Sequence, residues 1–199
     1  MDSTIKLYGS PQSRAARCLW MARELNLPVE TIAVAPAEAS GNQALRAVNP
    51  NGRVPGLDDN GFHLFESLAI NVYLAKKYGA GKDFVPSSLE DDARTTQWTL
   101  WAATEIEKPL LALLLHTIGR APLDEAGQAA QKDALVRPLT TLNGCLASQD
   151  YLLGGKFTVA DLNVASVLRW AQACKLDLSA YPKVVAWLDR CLARPAAKG

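Results

Sequence analysis

Ser10-Pro11-Gln12-Ser13 is the first short run whose residue types could carry chemistry. It follows a strand-like stretch, Ile5 to Tyr8, and precedes helical spacing that begins at Arg14. Its hydroxyls and backbone amides therefore fall at a helix N-terminus, where orphan N–H groups and the helix dipole favour negative charge. The same residues also suit plain capping, since serine is a preferred N-cap and proline fits the first turn. A serine nucleophile needs an adjacent base. Neither His63 nor His116 lies in a recognisable partner motif, and Gly-x-Ser-x-Gly is absent. Ser10 reads as a hydrogen-bond donor rather than an attacking group.

Three further sets bear on chemistry. Glu66-Ser67 stands where a hairpin gives way to a helix and would serve equally as a cap. Thr158-Val159-Ala160-Asp161 has the form of a capping box, with Phe157 and Leu162 placed as its hydrophobic staple, so it is a folding signal with no catalytic role. Cys18, Cys145, Cys174 and Cys191 are widely spaced and form no Cys-x-x-Cys pair, which reads as free thiols rather than a disulfide framework or a zinc site. No metal site is expected.

The elements that must position these residues follow from periodicity. Residues 14–26 carry Ala15, Cys18, Leu19, Ala22 and Leu25 at helical spacing, and Pro28 stops the pattern. Residues 29–34 alternate as a strand, and 43–48 form a short helix ended by Asn49-Pro50-Asn51-Gly52. Residues 54–57 and 62–65 flank Asp58-Asp59-Asn60-Gly61 as a hairpin, and 66–78 are helical. Strand, helix, strand, short helix, hairpin, helix describes a small mixed sheet with helices packed on it. Beyond a loop-like stretch only helical signals remain, over 90–115, 126–149, 159–174 and 183–193. The expected organisation is an αβ domain over 1–78, a linker over 79–87 and an all-helical domain over 88–199.

The 199-residue chain is 49% hydrophobic and 21% charged, an ordinary composition for a folded soluble protein. Its net charge of +1 offers no excess for nucleic acid or an anionic membrane. The start lacks a secretory pattern, and no apolar run reaches the roughly 18 residues of a membrane span. A cytoplasmic location is expected.

Taken together, four blocks carry a family resemblance. Ser10-Pro11-Gln12-Ser13 looks like the Cys-Pro-x-Cys corner of thioredoxin-like proteins with serine at both cysteine positions. Asn49-Pro50-Asn51-Gly52-Arg53-Val54-Pro55, with Phe65-Glu66-Ser67 after it, resembles the glutathione-binding stretch of cytosolic glutathione S-transferases. The run Ala69-Ile70-x-x-Tyr73-Leu74 and the capping box at 157–162 match that family too, so the resemblance covers essentially the whole chain. It is closest in kind to the bacterial, serine-type members.

The resemblance implies a thioredoxin-like N-terminal domain, βαβαββα, followed by an all-helical C-terminal domain. It implies glutathione as co-substrate, no metal, and conjugation of the glutathione thiolate to small, mostly apolar electrophiles. By this likeness Ser10 contacts the sulfur, with Ser13 as the alternative and Tyr8 as a third, lesser option. Pro55 follows a cis bond, and Val54 pairs its backbone with the cysteinyl unit. Ser67 and nearby amides hold the γ-glutamyl carboxylate, Glu66 faces its ammonium, and Arg53 faces the glycyl carboxylate; in isolation Arg53 would read as a solvated surface charge. Trp98, Trp101, Thr104 and Glu105 are electrophile-site candidates on the helix that usually lines the cleft between domains, although aromatics there are more often core. A homodimer is expected. The alternatives are a glutathione-dependent disulfide reductase or peroxidase on the same fold, and a transferase-like binding or assembly domain without turnover.

Overall fold

Apolar alternation in the first strand, Ile5–Tyr8 (β1), sends Ile5 and Leu7 into the interior and leaves Lys6 and Tyr8 on the other face. The computed structural model of this chain describes residues 4–85 and 88–198, so residues 1–3 of the expected first domain, 86–87 of the expected linker and the terminal 199 lie outside the described residues. The chain divides into two compact units, one within Met1–Val85 and one within Pro86–Lys198.

In the first unit, β1 leads into helix α1 (Ala15–Leu25) and returns through β2 (Val29–Ile32), which pairs parallel to β1. A short helix α2 (Gln43–Val48) follows, then the hairpin β3 (Gly56–Asp59) and β4 (Phe62–Phe65), then α3 (Ser67–Tyr78). The sheet order is β2-β1-β3-β4, mixed, with β3 antiparallel to both its neighbours. This is the thioredoxin-like arrangement. Helix α1 packs on α3, while Tyr8 on the opposite face of β1 packs with Val54 against Val34, Ala39 and Leu45, the last of them on α2.

The hairpin is tighter than the sequence suggests. Asp58 and Asp59 belong to β3, and only Asn60 (φ 55°) and Gly61 (φ 88°) turn the chain. Positive φ at both central residues is what the twist-matched two-residue turn demands, and Asn-Gly supplies it. The strand begins at Gly56 because Pro55, joined to Val54 by a cis bond, has no N–H to give a ladder.

Asp59, buried at the end of β3, fastens this hairpin to α3. Its carboxylate accepts from Tyr73 Oη and Lys77 Nζ, both at 2.7 Å, from Tyr78 Oη at 2.8 Å, and from Asn60 Nδ2 at 2.8 Å. Burial alone would raise its pKa, but the four hydrogen bonds outweigh burial and hold it at about 2. A carboxylate whose folded pKa lies below its unfolded value contributes stability above the unfolded pKa and loses it as pH falls toward the folded one. Acidifying from about pH 5 to about pH 2 is therefore expected to remove about 2 kcal/mol. Urea midpoints across that range should show the slope in wild type and a shallower one in Asp59→Asn; equal slopes would clear Asp59 of the effect.

Among the described residues the named elements of the second unit are helices, α4 (Leu89–Trp101), α5 (Glu107–Thr117), α6 (Glu125–Cys145), α7 (Val159–Leu168), α8 (Trp170–Ala173) and α9 (Pro182–Ala193), with one isolated bridge between Tyr151 and Gly154. Ser88 and Asp124 cap α4 and α6 through their side chains. Where periodicity suggests one helix over 90–115, a π turn at Ala102–Ile106 separates α4 from α5. Pro109 follows directly, and its missing N–H cannot take the carbonyl of Glu105, so the ladder is rearranged there. Every residue of α7 is buried, with α4 and α9 packed against it. Among the described residues no helix is long and apolar enough to cross a membrane.

Candidate functional site

One end of the sheet gathers the chemistry. The pairing register sets Tyr8 beside Gly56 and Gly56 beside Phe65. Ser10, two residues past Tyr8, Val54, two residues before Gly56, and Glu66-Ser67, just past Phe65, therefore all leave the sheet at the same end. A side chain on Gly9 would meet Ala15 Cβ at 2.6 Å, Ser13 Oγ at 3.3 Å and Val54 Cβ at 3.5 Å, so the start of α1 and the cis-proline loop touch here. Only glycine fits, and its φ of 146° suits glycine alone.

The two serines are not equivalent. Ser13 Oγ accepts the Ser10 N–H at 3.2 Å and the Ala15 N–H at 3.1 Å, and donates to the Ser10 carbonyl at 2.8 Å. That hydroxyl is spent on capping α1. The half-buried Ser10 hydroxyl makes no hydrogen bond among the described residues, so its proton is available at the positive end of α1. Tyr8 is committed to packing on the Val34, Ala39 and Leu45 cluster.

Asn49 shapes the loop before β3. Its buried side chain donates to the carbonyls of Arg53 and Pro55 and accepts from Asn51 N and Nδ2, each at 3.1 Å. It thus grips the residues on either side of Val54, whose own backbone N–H and C=O have no partner among the described residues. Gly52 closes the turn at φ 61°, where a side chain would lie 3.0 Å from Ser40 Cα. Arg53 is exposed, and its guanidinium is in no ion pair among the described residues.

Glu66 precedes α3 with φ 69° and ψ 111°, a conformation that non-glycine residues adopt only under constraint and that clusters at ligand sites. Its carbonyl accepts from Ile70 N at 2.9 Å and so starts the helix. Ser67 follows, 3% exposed, and its Oγ accepts from Arg17 Nη1 at 3.3 Å. Arginine has no acceptor. The Ser67 hydroxyl proton therefore points elsewhere, at the N-terminal end of α3. Cys18 gives its thiol hydrogen to the Ser67 carbonyl at 3.5 Å, and full burial pushes its pKa far up, so it is no nucleophile.

Arg17, only 4% exposed, is the site residue that sequence reasoning passed over. A signal was present: Arg17, Met21 and Leu25 are spaced by four and share the buried face of α1. A charge in such a stripe is buried for a reason.

The four candidates in the helical unit do not form one set. Trp98 is core, edge-on to the half-buried Trp101 with centroids 5.1 Å apart. Thr104 bonds the Leu100 carbonyl at 3.1 Å, and Glu105 pairs with Arg137 at 3.2 Å. Among the described residues no group of three or more His, Cys, Asp or Glu side chains is placed to hold a metal ion.

Known proteins resemble this chain over both units. The family model for the glutathione S-transferase N-terminal domain matches residues 3–76, and that for the C-terminal domain matches residues 103–195. Glutathione S-transferase GstA of Escherichia coli O157:H7 is 33% identical over 150 residues, covering 75% of this chain and 72% of that one. Glutathione S-transferase 3 of Zea mays is 33% identical over 209 residues, 96% of this chain and 90% of that one. The glutathione-bound theta class glutathione S-transferase of Xanthomonas axonopodis pv. citri superposes with a TM-score of 0.88 at 30% identity, over 98% of this chain and 96% of the other.

Proposed function

The chain belongs to the glutathione S-transferase family, and from that premise we propose that Ser10 is the residue that holds the glutathione sulfur as a thiolate. The activity is transfer of glutathione, its co-substrate, to small electrophiles. The thiolate attacks an electrophilic carbon and a C–S bond forms. In a displacement the leaving group departs with the electrons of the broken bond; in an addition, the electron pair pushed onto the electrophile is then protonated. Such a reaction detoxifies reactive compounds.

One observation carries the assignment: of two serines at the start of α1, only Ser10 has a hydroxyl that its own fold does not use. The tripeptide then lies along one end of the sheet. The free backbone of Val54 pairs with the cysteinyl unit, ahead of Pro55. Ser67 and the first amides of α3 take the γ-glutamyl carboxylate, with the Arg17 guanidinium behind the hydroxyl, while Glu66 faces the γ-glutamyl ammonium. Arg53 meets the glycyl carboxylate. Of the electrophile-site candidates, Trp101 is the aromatic not committed to the core.

Calorimetry with glutathione tests the reading directly, since a scaffold without the site would give no heat. A panel comparing chloronitrobenzene conjugation with hydroperoxide and disulfide reduction then separates transferase from reductase; conjugation should dominate, because neither position 10 nor 13 supplies a thiol. Ser67→Ala is expected to raise KM for glutathione about tenfold while kcat changes about twofold or less, since the contact is to a part of the substrate that does not react. Steady-state kinetics against glutathione concentration measure the split.

The protein acts as a homodimer in the cytoplasm. Phe62 and Phe65, 47% and 36% exposed, lie on the edge strand β4, where an uncovered apolar edge invites a partner. Gel filtration should give twice the 21.5 kDa chain mass. All four cysteines are free thiols, as a reducing compartment requires.

A further inference from the structure

Arg53, placed above against the glycyl carboxylate, stands at an end of the site built from small residues. Gly52 packs on Ser40: a side chain at position 52 would lie 3.0 Å from Ser40 Cα and 3.7 Å from Ser40 Cβ. The short turn of helix Ala39–Gly41 therefore flanks this end. Ser40 and Gly41 are exposed, and a Cβ added to Gly41 would meet no atom within 4 Å. Ala35, Pro36 and Ala37 are exposed as well, and the sequence has no aromatic residue between Val34 and Phe62.

The other two positions are walled. Val54, beside the cysteinyl unit, packs on Val34, Ala39 and Leu45. Ser67 and Arg17, at the γ-glutamyl end, are 3% and 4% exposed. A close-fitting wall discriminates against an extra methylene by about tenfold or more. Where no wall stands, size is not read.

Charge is what the open end offers. Residues 35–61 contain two bases, Arg46 and Arg53, and three acids, Glu38, Asp58 and Asp59. Asp59 is held by Tyr73, Lys77 and Tyr78, and Asp58 accepts the Gly61 N–H at 2.8 Å with His63 3.7 Å away, so both belong to the hairpin. Arg46 Nη1 donates to the Ser40 carbonyl at 3.3 Å, which brings a second guanidinium to the turn that Gly52 touches. Glu38, exposed at the start of that turn, offsets one of the two. The balance is one positive charge, matched to one carboxylate.

We propose that the enzyme accepts γ-glutamylcysteinyl peptides whose third residue is larger than glycine, and that it reads this residue by its terminal carboxylate and not by its size. This rests on the placement of glutathione given above. The third side chain passes over Ser40 and Gly41 into solvent, while its carboxylate stays with Arg53.

Initial rates of chloronitrobenzene conjugation with glutathione, γ-glutamylcysteinylserine, γ-glutamylcysteinylphenylalanine and glutathione amidated at its glycyl carboxyl test this. Both larger peptides should give kcat/KM within about threefold of glutathione, because no wall penalises them. The amide should lose about fivefold, through KM with kcat held, as loss of an exposed charge contact far from the sulfur requires. Arg53→Gln leaves Arg46 and Glu38 in balance and should bring acid and amide within about twofold of each other. Ser40→Trp, which sets an indole beside Gly52, should lower the phenylalanyl peptide at least about fivefold more than glutathione. Rejection of the phenylalanyl peptide by wild type while glutathione is used, an amide as good as the acid, an acid preference unmoved by Arg53→Gln, or equal losses for both peptides in Ser40→Trp would each overturn this proposal alone. No turnover of glutathione itself would overturn the placement of glutathione and this proposal with it.

Discussion

Ser10→Ala is expected to raise the pKa of enzyme-bound glutathione by about one to two pH units and to lower kcat/KM for conjugation at neutral pH by about tenfold to a hundredfold. The free thiol has a pKa of about 8.5 and is only a few per cent thiolate at pH 7. A hydrogen bond to a charged partner contributes about 1.5–3 kcal/mol, and each pH unit corresponds to about 1.4 kcal/mol. The half-buried Ser10 hydroxyl, with no internal partner among the described residues, is in a position to supply that bond. The dipole of α1 adds about 0.3–1 kcal/mol and survives the substitution, so some thiolate stabilisation persists in the variant.

The pH profile gives this prediction its shape. Wild type should reach its plateau near neutrality, whereas Ser10→Ala should need alkaline solution and regain much of its lost rate there, because base then does the work of the hydroxyl. Ser13→Ala is the contrasting variant. It removes the acceptor for the Ser10 and Ala15 amides and should cost about 1 kcal/mol of stability without moving the thiol. Ultraviolet thiolate absorbance against pH distinguishes them, and a thiol pKa raised by Ser13→Ala but not by Ser10→Ala would reverse the assignment.

Asp161→Ala should produce the largest loss of stability, about 3–5 kcal/mol. Asp161 is fully buried at the start of α7, and its carboxylate accepts from Thr158 N at 2.9 Å, Thr158 Oγ1 at 3.0 Å, Leu152 N at 2.8 Å and Trp187 Nε1 at 2.9 Å. Of these, the Thr158 N–H bond is Asp161's half of the capping box, and the Thr158 hydroxyl bond lies within the same pair of residues. The other two bind the preceding loop and α9 to the same side chain, so alanine would strand four donors in a place water does not reach, each costing about 1–3 kcal/mol before relaxation. A domain of ordinary stability has about 5–15 kcal/mol in total. Urea denaturation followed by tryptophan emission, to which the fully buried Trp187 contributes, reads the loss. Thr158→Ala should cost about 1 kcal/mol, as a simple cap does. Equal losses for the two substitutions would mean that the Leu152 and Trp187 bonds contribute nothing.

The sequence by itself determined the order of elements, because the signals involved are local. Period-two alternation at Ile5 to Tyr8, three-four spacing from Ala15 to Leu25, and Asn60-Gly61 between apolar strands are each read within a few residues. The capping box was legible for the same reason, as were the blocks around Ser10, Arg53 to Pro55 and Glu66-Ser67.

Choices between neighbouring residues needed the tertiary structure. Ser10 and Ser13 are chemically identical in the sequence, and only the folded turn spends one of them on Ser10's own backbone. Arg17 gains its place from a partner fifty residues away, and Glu105 is taken by Arg137 across thirty-two. The strain at Glu66 and the π turn before Pro109 likewise arise from what surrounds them. Local free energies fix which segments become strands and helices, whereas the hydrogen-bond partners of a given side chain are set by packing between segments far apart in the chain, and no short window of sequence contains that.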